Sequence, residues 1–114
     1  ISHFIILLYL NLNTIAANNF KNAYGTIIGF NIEDNSLVIR AITKEEVSLG
    51  LYNNIDIHTI SIKPSYGRIT GKNIINKLCD YFPLDFKSDK LNKFQCEWFE
   101  EESMLKIYLE RRVS

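Results

Sequence analysis

The chain has 114 residues, which is enough for one domain (residues 1–114) with a buried core of its own. Apolar residues make up 46% and charged residues 23% of the sequence, and these globular proportions exclude a disordered chain. Thirteen Lys and Arg residues balance thirteen Asp and Glu residues. Because a nonspecific nucleic-acid binder needs an excess of positive charge, we expect no direct nucleic-acid partner.

The most apolar run of the chain comes first, as "FIILLYLNLN" at residues 4–13. A secretory signal needs a positive charge before its apolar run, and no Lys or Arg precedes Phe4. A membrane span needs about 20 apolar residues, whereas Asn11 and Asn13 interrupt this run, so no membrane partner is expected. Leucines alternate here with Tyr and Asn, as in a strand with one buried face. We predict a core strand in a cytoplasmic protein; the alternative is a secreted or periplasmic protein with residues 1–17 as its signal peptide.

A helix and a hairpin are predicted next. Apolar residues recur every three or four positions from Thr14 to Tyr24, and Gly25 follows as a stop signal, which predicts a short amphipathic helix. Two β-rich runs then flank the polar stretch 33–36, which predicts a β-hairpin. The alternation should place these side chains on one face of each strand: Ile28, Phe30 and Ile32, and Leu37, Ile39 and Ala41.

The middle of the chain predicts a helical turn and another strand. Thr43 and Glu46 have capping-box spacing, which predicts a turn or two of helix ended by Gly50. Residues 53–63, "NNIDIHTISIK", predict a strand whose alternation changes phase near His58. Either both faces of this strand are buried, or a bulge shifts its pleat.

The last third of the chain completes the predicted fold. "PSYGRITG" (64–71) is turn-rich and predicts a loop, and "KNIINKLCDYF" (72–82) carries an apolar stripe that predicts a helix ended by Pro83. Residues 93–112 predict a second hairpin. The predicted fold class is therefore α+β, a single domain with an antiparallel or mixed sheet of about six strands and two main helices packed on one face.

Two cysteines, Cys79 and Cys96, fall in a helical and a strand pattern respectively. Two cysteines without metal-ligand spacing are typical of reduced core residues. A disulfide between them is the alternative.

A glycine-containing loop precedes the predicted helix and invites comparison with a phosphate-binding loop. That motif needs G-x-x-x-x-G-K-[ST], but Gly67 is one residue too close to Gly71, and Asn73 replaces the hydroxyl residue. An anion site at the helix start with Lys72 and Arg68 stays open, beside the plainer interpretation of a polar helix entry.

The best acid–base candidate is His58, because histidine titrates near neutral pH. A small metal-independent hydrolase or ribonuclease would use His58 with Lys72 or Arg68, and His3 is the only other histidine. A histidine in an alternating strand is more often a surface or core residue, so no catalytic residue is predicted outside this alternative. No cluster of His, Cys or Asp has ligand spacing, so the sequence predicts neither a metal nor a cofactor.

An acidic stretch, "EWFEEES", is the most distinctive local feature of the sequence. It is either a solvated turn beside core aromatic residues or a surface that binds a basic protein partner. Arg111 and Arg112 follow nearby and are expected to cancel part of the charge. The candidate partner-binding residues are Glu97, Glu100, Glu101 and Glu102.

In its size, its Ile- and Asn-rich composition and its lack of a catalytic motif, the chain resembles the small cytoplasmic immunity proteins of bacterial toxin systems, such as contact-dependent growth inhibition. This resemblance implies tight binding to a cognate toxin domain, often a nuclease, with the acidic residues as first contacts. Nuclease inhibitors are usually acidic, and the balanced charge of this chain leaves the toxin type open.

Overall fold

Eight strands in one antiparallel sheet and two short helices form the part of the chain that the structure describes. The structure is a computed structural model, and it describes residues 3–6, 10–64, 66–69, 76, 77, 80 and 92–112. The α+β class is confirmed. Along the sheet the strand order is β3-β4-β8-β7-β1-β2-β6-β5. The elements in chain order are β1 (His3–Ile6), β2 (Leu10–Asn13), α1 (Thr14–Asn18), β3 (Gly25–Asn31), β4 (Ser36–Ile42), α2 (Lys44–Ser48), β5 (Ile60–Ile62), β6 (Tyr66–Ile69), β7 (Asn92–Phe99) and β8 (Met104–Arg112).

The apolar opening of the chain forms two strands where the sequence predicted one. β1 and β2 pair antiparallel, with Phe4 opposite Leu12 and Ile6 opposite Leu10. β1 also pairs with β7, and β2 with β6, so both strands lie inside the sheet. The prediction of sheet structure is confirmed, whereas the single continuous strand is wrong because β1 and β2 run in opposite directions.

Helix α1 is shorter than predicted and ends at Asn18. The Asn13 side chain accepts a hydrogen bond from the Ala16 N–H (3.0 Å) and caps its start. At its other end the Asn19 amide lies within hydrogen-bond distance of the Ile15 and Ala16 carbonyls. Asparagine competes for backbone hydrogen bonds in this way, which favours helix ends over helix interiors. The predicted helix from residue 19 to 24 is therefore wrong.

Both predicted hairpins are confirmed. In the first, Ile28 lies opposite Ile39 and Phe30 opposite Leu37. In the second, the β7 residues Cys96 and Trp98 lie opposite two buried residues of β8, Ile107 and Leu105. One detail of the first hairpin is wrong: Ile32 lies in the turn between β3 and β4, and 70% of its surface is exposed.

The stretch predicted as a long strand and then a loop forms a short hairpin. Only Ile60–Ile62 of the predicted strand 53–63 is extended in the sheet, as β5. The predicted loop contains β6, which pairs with both β5 and β2. The Lys63 N–H donates to the Tyr66 carbonyl (2.8 Å) and closes this hairpin. The loop prediction for residues 66–69 is therefore wrong.

The sheet curls so that its two ends approach each other. β3 and β5 end the strand order, and in a flat sheet seven strand spacings would separate them by about 34 Å. Thr26 of β3 nevertheless pairs with His58, and a single residue separates His58 from β5. The backbone N–H groups of Thr26 and His58 each donate to the other residue's carbonyl, at 2.7 and 2.8 Å. This bridge accounts for the change in side-chain alternation near His58. His58 pairs with β3 at one end of the strand order, whereas β5, which begins two residues later, lies at the other end.

Helix α1 packs on the inner face of the curled sheet, where it lies close against β6. An added Cβ at Gly67 would lie 2.9 Å from the Ala17 Cβ, so glycine allows this close approach. Gly25 allows a second one, since its Cβ would lie 2.6 Å from the Ile57 Cγ2. Gly25 is the first residue of β3, so the prediction that it stops a helix is wrong. The buried residues of this face form one cluster, which includes Leu12, Ala16, Phe20, Ile39, Ile69 and Leu105.

Helix α2 confirms the capping-box prediction. The Glu46 N–H donates to the Thr43 Oγ1 (3.1 Å), and the Thr43 N–H donates to the Glu46 carboxylate (2.9 Å). This backbone donor is the main reason that the pKa of Glu46 lies below its usual value. No α2 residue is buried.

The predicted helix at 72–82 and the loop after Pro83 fall mainly outside the described residues. Asn76, Lys77 and Asp80 are described, and all three are helical. Across the described parts of the chain, no helix is long and apolar enough to cross a membrane.

Candidate functional site

The acidic residues lie at the turn between β7 and β8. Glu100, Glu101 and Glu102 are all exposed there. Ser103 closes the turn with a φ of 49°, and its N–H donates to the Glu100 carbonyl (3.2 Å). The Ser103 carbonyl accepts from the Ala41 N–H (2.8 Å), which ties the turn to β4. The three carboxylates are therefore presented on an anchored turn.

Glu100 has a defined orientation because Trp98 contacts it. The indole N–H of Trp98 donates to the Glu100 Oε2 at 2.5 Å. The same indole packs edge-on against the ring of Phe20, with 5.3 Å between the ring centroids. The core thus positions an aromatic donor that orients one carboxylate at the surface.

Glu97 lies on the other face of β7. Successive strand residues point to opposite faces, so Glu97 shares the outer face with Lys106, its neighbour across the strands. The Glu97 carboxylate accepts from the Tyr108 hydroxyl (2.9 Å), and Lys106 pairs with Asp34. The hydrogen-bonded Lys106 ammonium is the main cause that lowers the pKa of Asp34. The structure therefore groups Glu100, Glu101 and Glu102 (the acidic turn) and leaves Glu97 apart.

The predicted cancellation of this charge by Arg111 and Arg112 is wrong on geometric grounds. The Arg112 backbone pairs with Phe94, at the end of the hairpin far from the turn. Arg112 lies eight positions after Met104 along β8, which at about 3.3 Å per residue is more than 20 Å. Within the described residues, no ion pair involves the acidic turn.

Two residues of the hydrolase alternative, His58 and Arg68, make defined hydrogen bonds within the sheet. The His58 carbonyl accepts both the N–H and the hydroxyl of Thr26, the latter at 2.9 Å. The Arg68 Nε donates to the Asn11 side chain (3.1 Å), and its guanidinium lies 5.2 Å from the centre of the Tyr66 ring. Lys72 is outside the described residues. His58 therefore lies at the bridge to β3, and Arg68 lies on β6.

Arg68 also bears on the predicted anion site. Gly67 and Arg68 belong to the strand β6, which pairs on both sides. They therefore do not form a glycine loop at a helix start. The other residues of that prediction, from Gly71 to Asn73, lie outside the described residues.

Cys96 is a free thiol packed against the core. Burial raises its pKa from 9.0 to about 12, so it stays protonated at neutral pH and is a poor nucleophile. Cys79 lies outside the described residues, but the free Cys96 thiol contradicts the disulfide alternative. Among the His, Cys, Asp and Glu side chains that the structure describes, no group of three could hold a metal ion.

Comparisons of the chain with protein-family models, curated proteins and solved structures found no match.

One surface feature was not predicted from the sequence. A shallow groove of about 550 Å³ lies on the β3–β4 hairpin, with Gly29 and Val38 among its lining residues. The available signal was a glycine in the middle of an alternating strand. Such a glycine often marks a place where a ligand or another backbone approaches closely.

Proposed function

We propose that this protein is a protein-binding module without chemistry of its own, and that it neutralises a cognate toxin domain as an immunity protein. The observation that supports this proposal is the acidic turn: three exposed carboxylates on an anchored hairpin, without an ion-pair partner among the described residues. Clustered charge of one sign accelerates association with an oppositely charged surface and contributes to specificity.

The expected partner carries a basic surface, such as the cleft of a nuclease. Because the chain has no net charge, attraction must come from this local cluster rather than from a field of the whole protein. Glu101 and Glu102 can reorient toward the partner, whereas the hydrogen bond from Trp98 fixes Glu100. Such a partner acts inside the cell, so the proposal includes a cytoplasmic location.

The hydrolase alternative stays a hypothesis. It requires His58 and Arg68, or His58 and Lys72, to meet at a substrate. His58 pairs with Thr26 through its backbone, and the Arg68 side chain donates to Asn11. A His58→Ala substitution separates the two functions, because an acid–base enzyme would lose at least about a hundredfold in rate, whereas neutralisation of a toxin would persist.

The proposal predicts that a large secreted protein with a toxic C-terminal domain is encoded immediately upstream of this chain, and the test uses that domain. Co-expression of the wild-type chain should restore growth to cells that produce this domain. The charge-reversal variant Glu101→Lys/Glu102→Lys should weaken the complex at least about tenfold, with a smaller salt dependence, because the association has lost two attractive charges. Calorimetry at two salt concentrations measures both effects.

Two control variants make the test specific. Glu45→Lys/Asp56→Lys reverses two exposed carboxylates outside the turn and should leave affinity unchanged. Glu100→Gln keeps an acceptor for Trp98 and removes one charge, so it should weaken binding less than the double reversal. The proposal is wrong if the wild-type chain does not restore growth, or if both double variants bind equally well.

A further inference from the structure

The groove on the β3–β4 hairpin lies on the outer face of the sheet. Its lining residues are Gly29, Phe30, Asn31, Ile32, Glu33 and Val38. Gly29 and Val38 are neighbours across the strands, and both line the groove. The next residues in the same cross-strand row are Lys106 and Glu97. The groove therefore opens onto a continuous sheet surface.

The depth of the groove at Gly29 comes from the missing side chain. An added Cβ at Gly29 would meet nothing within 4 Å, so packing does not require glycine. Backbone conformation does not require it either, since Gly50 is the one described glycine with a positive φ. Glycine inside a strand is less favourable than alanine. Its structural effect here is to leave an open depression over β3 and beside Val38.

β3 also presents backbone groups at its outer edge. It is the terminal strand, with β4 on one side only. The hydrogen bonds between Thr26 and His58 show that the Thr26 N–H and C=O point away from β4. Alternate residues of an antiparallel strand direct these groups to the same side. The Ile28 N–H and C=O therefore also point outward, next to the groove.

Among the residues that line the groove, Glu33 is the one that carries a charge. Glu33 is exposed, and its carboxylate makes no ion pair with any described residue. The neighbouring Asp34 differs, because it pairs with Lys106. An occupant with a cation near Glu33 would neutralise this remaining charge.

We infer that the groove binds an extended segment of a partner polypeptide, which pairs with the β3 edge at Ile28, places a large apolar side chain over Gly29 and sets a Lys or Arg beside Glu33. Strand addition of this kind takes its affinity from backbone hydrogen bonds and its specificity from alternate side chains. A second copy of β3 fits less well, because "GTIIGFN" (25–31) contains no basic residue. The inference goes beyond the proposed function, since it uses another surface and does not require a toxin.

The probe is a phage-displayed library of random nine-residue linear peptides, selected on the wild-type protein. Enriched sequences should alternate β-branched or aromatic residues with polar ones and carry at least one Lys or Arg. Synthetic versions of the enriched peptides then give dissociation constants by fluorescence anisotropy. Amide hydrogen exchange adds a direct readout, because a bound peptide should slow exchange of the Ile28 N–H.

Two variants test the two contacts. Gly29→Leu fills the depression with the protein's own side chain and should weaken peptide binding at least tenfold without loss of thermal stability. Glu33→Lys should weaken binding severalfold and reduce its salt dependence. The matched controls are Ser61→Leu, which adds the same side chain at an exposed position of β5, and Glu101→Lys/Glu102→Lys, which alters the acidic turn. Both controls should bind the peptide normally.

The inference is overturned if no peptide is enriched, if enriched peptides bind Gly29→Leu as well as wild type, or if Ile28 exchange is unchanged by a saturating peptide. A concentration-dependent dimer in light scattering that Gly29→Leu abolishes would identify a second copy as the occupant and would also overturn it. Failure of Glu101→Lys/Glu102→Lys to affect toxin binding would contradict only the proposed function, so the two proposals fail separately.

Discussion

Replacing Gly67 with alanine should destabilise the protein, because α1 lies against β6 at this position. The added Cβ would lie 2.9 Å from the Ala17 Cβ and 3.3 Å from the Ile62 Cδ1. Favourable carbon–carbon contacts are about 3.5–4.0 Å, so the helix must move by more than half an ångström. The isoleucine methyl group can rotate away, but the Cβ of Ala17 moves only with its backbone.

The expected cost of this overpacking is about 1–3 kcal/mol. For a chain of 114 residues, an unfolding entropy of about 2.1 cal/mol/K per residue converts this cost into a Tm lower by about 4–12 °C. Urea unfolding should show a lower midpoint with an unchanged slope, since the surface exposed on unfolding stays the same.

Gly29→Ala is the matched control, because it places the same methyl group in another strand of the same sheet. Its Cβ meets nothing within 4 Å, and the alanine restricts the unfolded chain, so stability should stay level or rise by about 0.4–1 kcal/mol. Ala17→Gly should also reduce the cost of Gly67→Ala in a double-mutant cycle, since it removes the atom that clashes. Equal losses for the two glycine variants, or a loss below about 0.5 kcal/mol at Gly67, would refute the close-contact argument.

Two further predictions concern a cap and a thiol. Thr43→Ala should cost about 1 kcal/mol because it removes the side-chain acceptor of the Glu46 N–H; hydrogen exchange at that amide should accelerate, and unchanged exchange would contradict the cap. In a Cys79→Ser variant, Ellman's reagent should label native Cys96 at pH 8 at least about a hundredfold more slowly than the urea-unfolded chain, because its pKa is raised to about 12. Because burial favours the protonated thiol, the contribution of Cys96 to the free energy of unfolding is complete below pH 9.0 and falls as the pH rises toward about 12. Cys96→Ala should remove this pH dependence. Fast labelling of the native protein would contradict the raised pKa.

The sequence by itself determined the elements whose hydrogen-bonding partners are close along the chain. The hairpins β3–β4 and β7–β8 follow from alternating strands on either side of a short polar turn. The capping box follows from two residues three positions apart. The acidic turn was located for the same reason, because carboxylates between two alternating runs must lie at the end of a hairpin.

Other parts of the site follow from the geometry of a strand alone. Alternation places Glu97 on the opposite face from Trp98, so Glu97 does not join the acidic turn. The rise along β8 carries Arg112 away from the turn. The groove differs from these, because Gly29 is visible in the sequence but its position on a terminal strand is not.

Only the tertiary structure decided which distant strands pair and how the sheet curls. The alternation of residues 4–13 is the same for one strand as for two, and the pairing of β1 with β7 and of β2 with β6 divides the run. Likewise "PSYGRITG" has the composition of a loop, yet β6 forms there because neighbours on both sides supply its hydrogen bonds. The bridge from Thr26 to His58 depends on the curvature of eight strands together. A local pattern records which side chains can be buried, whereas the partner that buries them lies elsewhere in the chain and is fixed only when the whole sheet assembles.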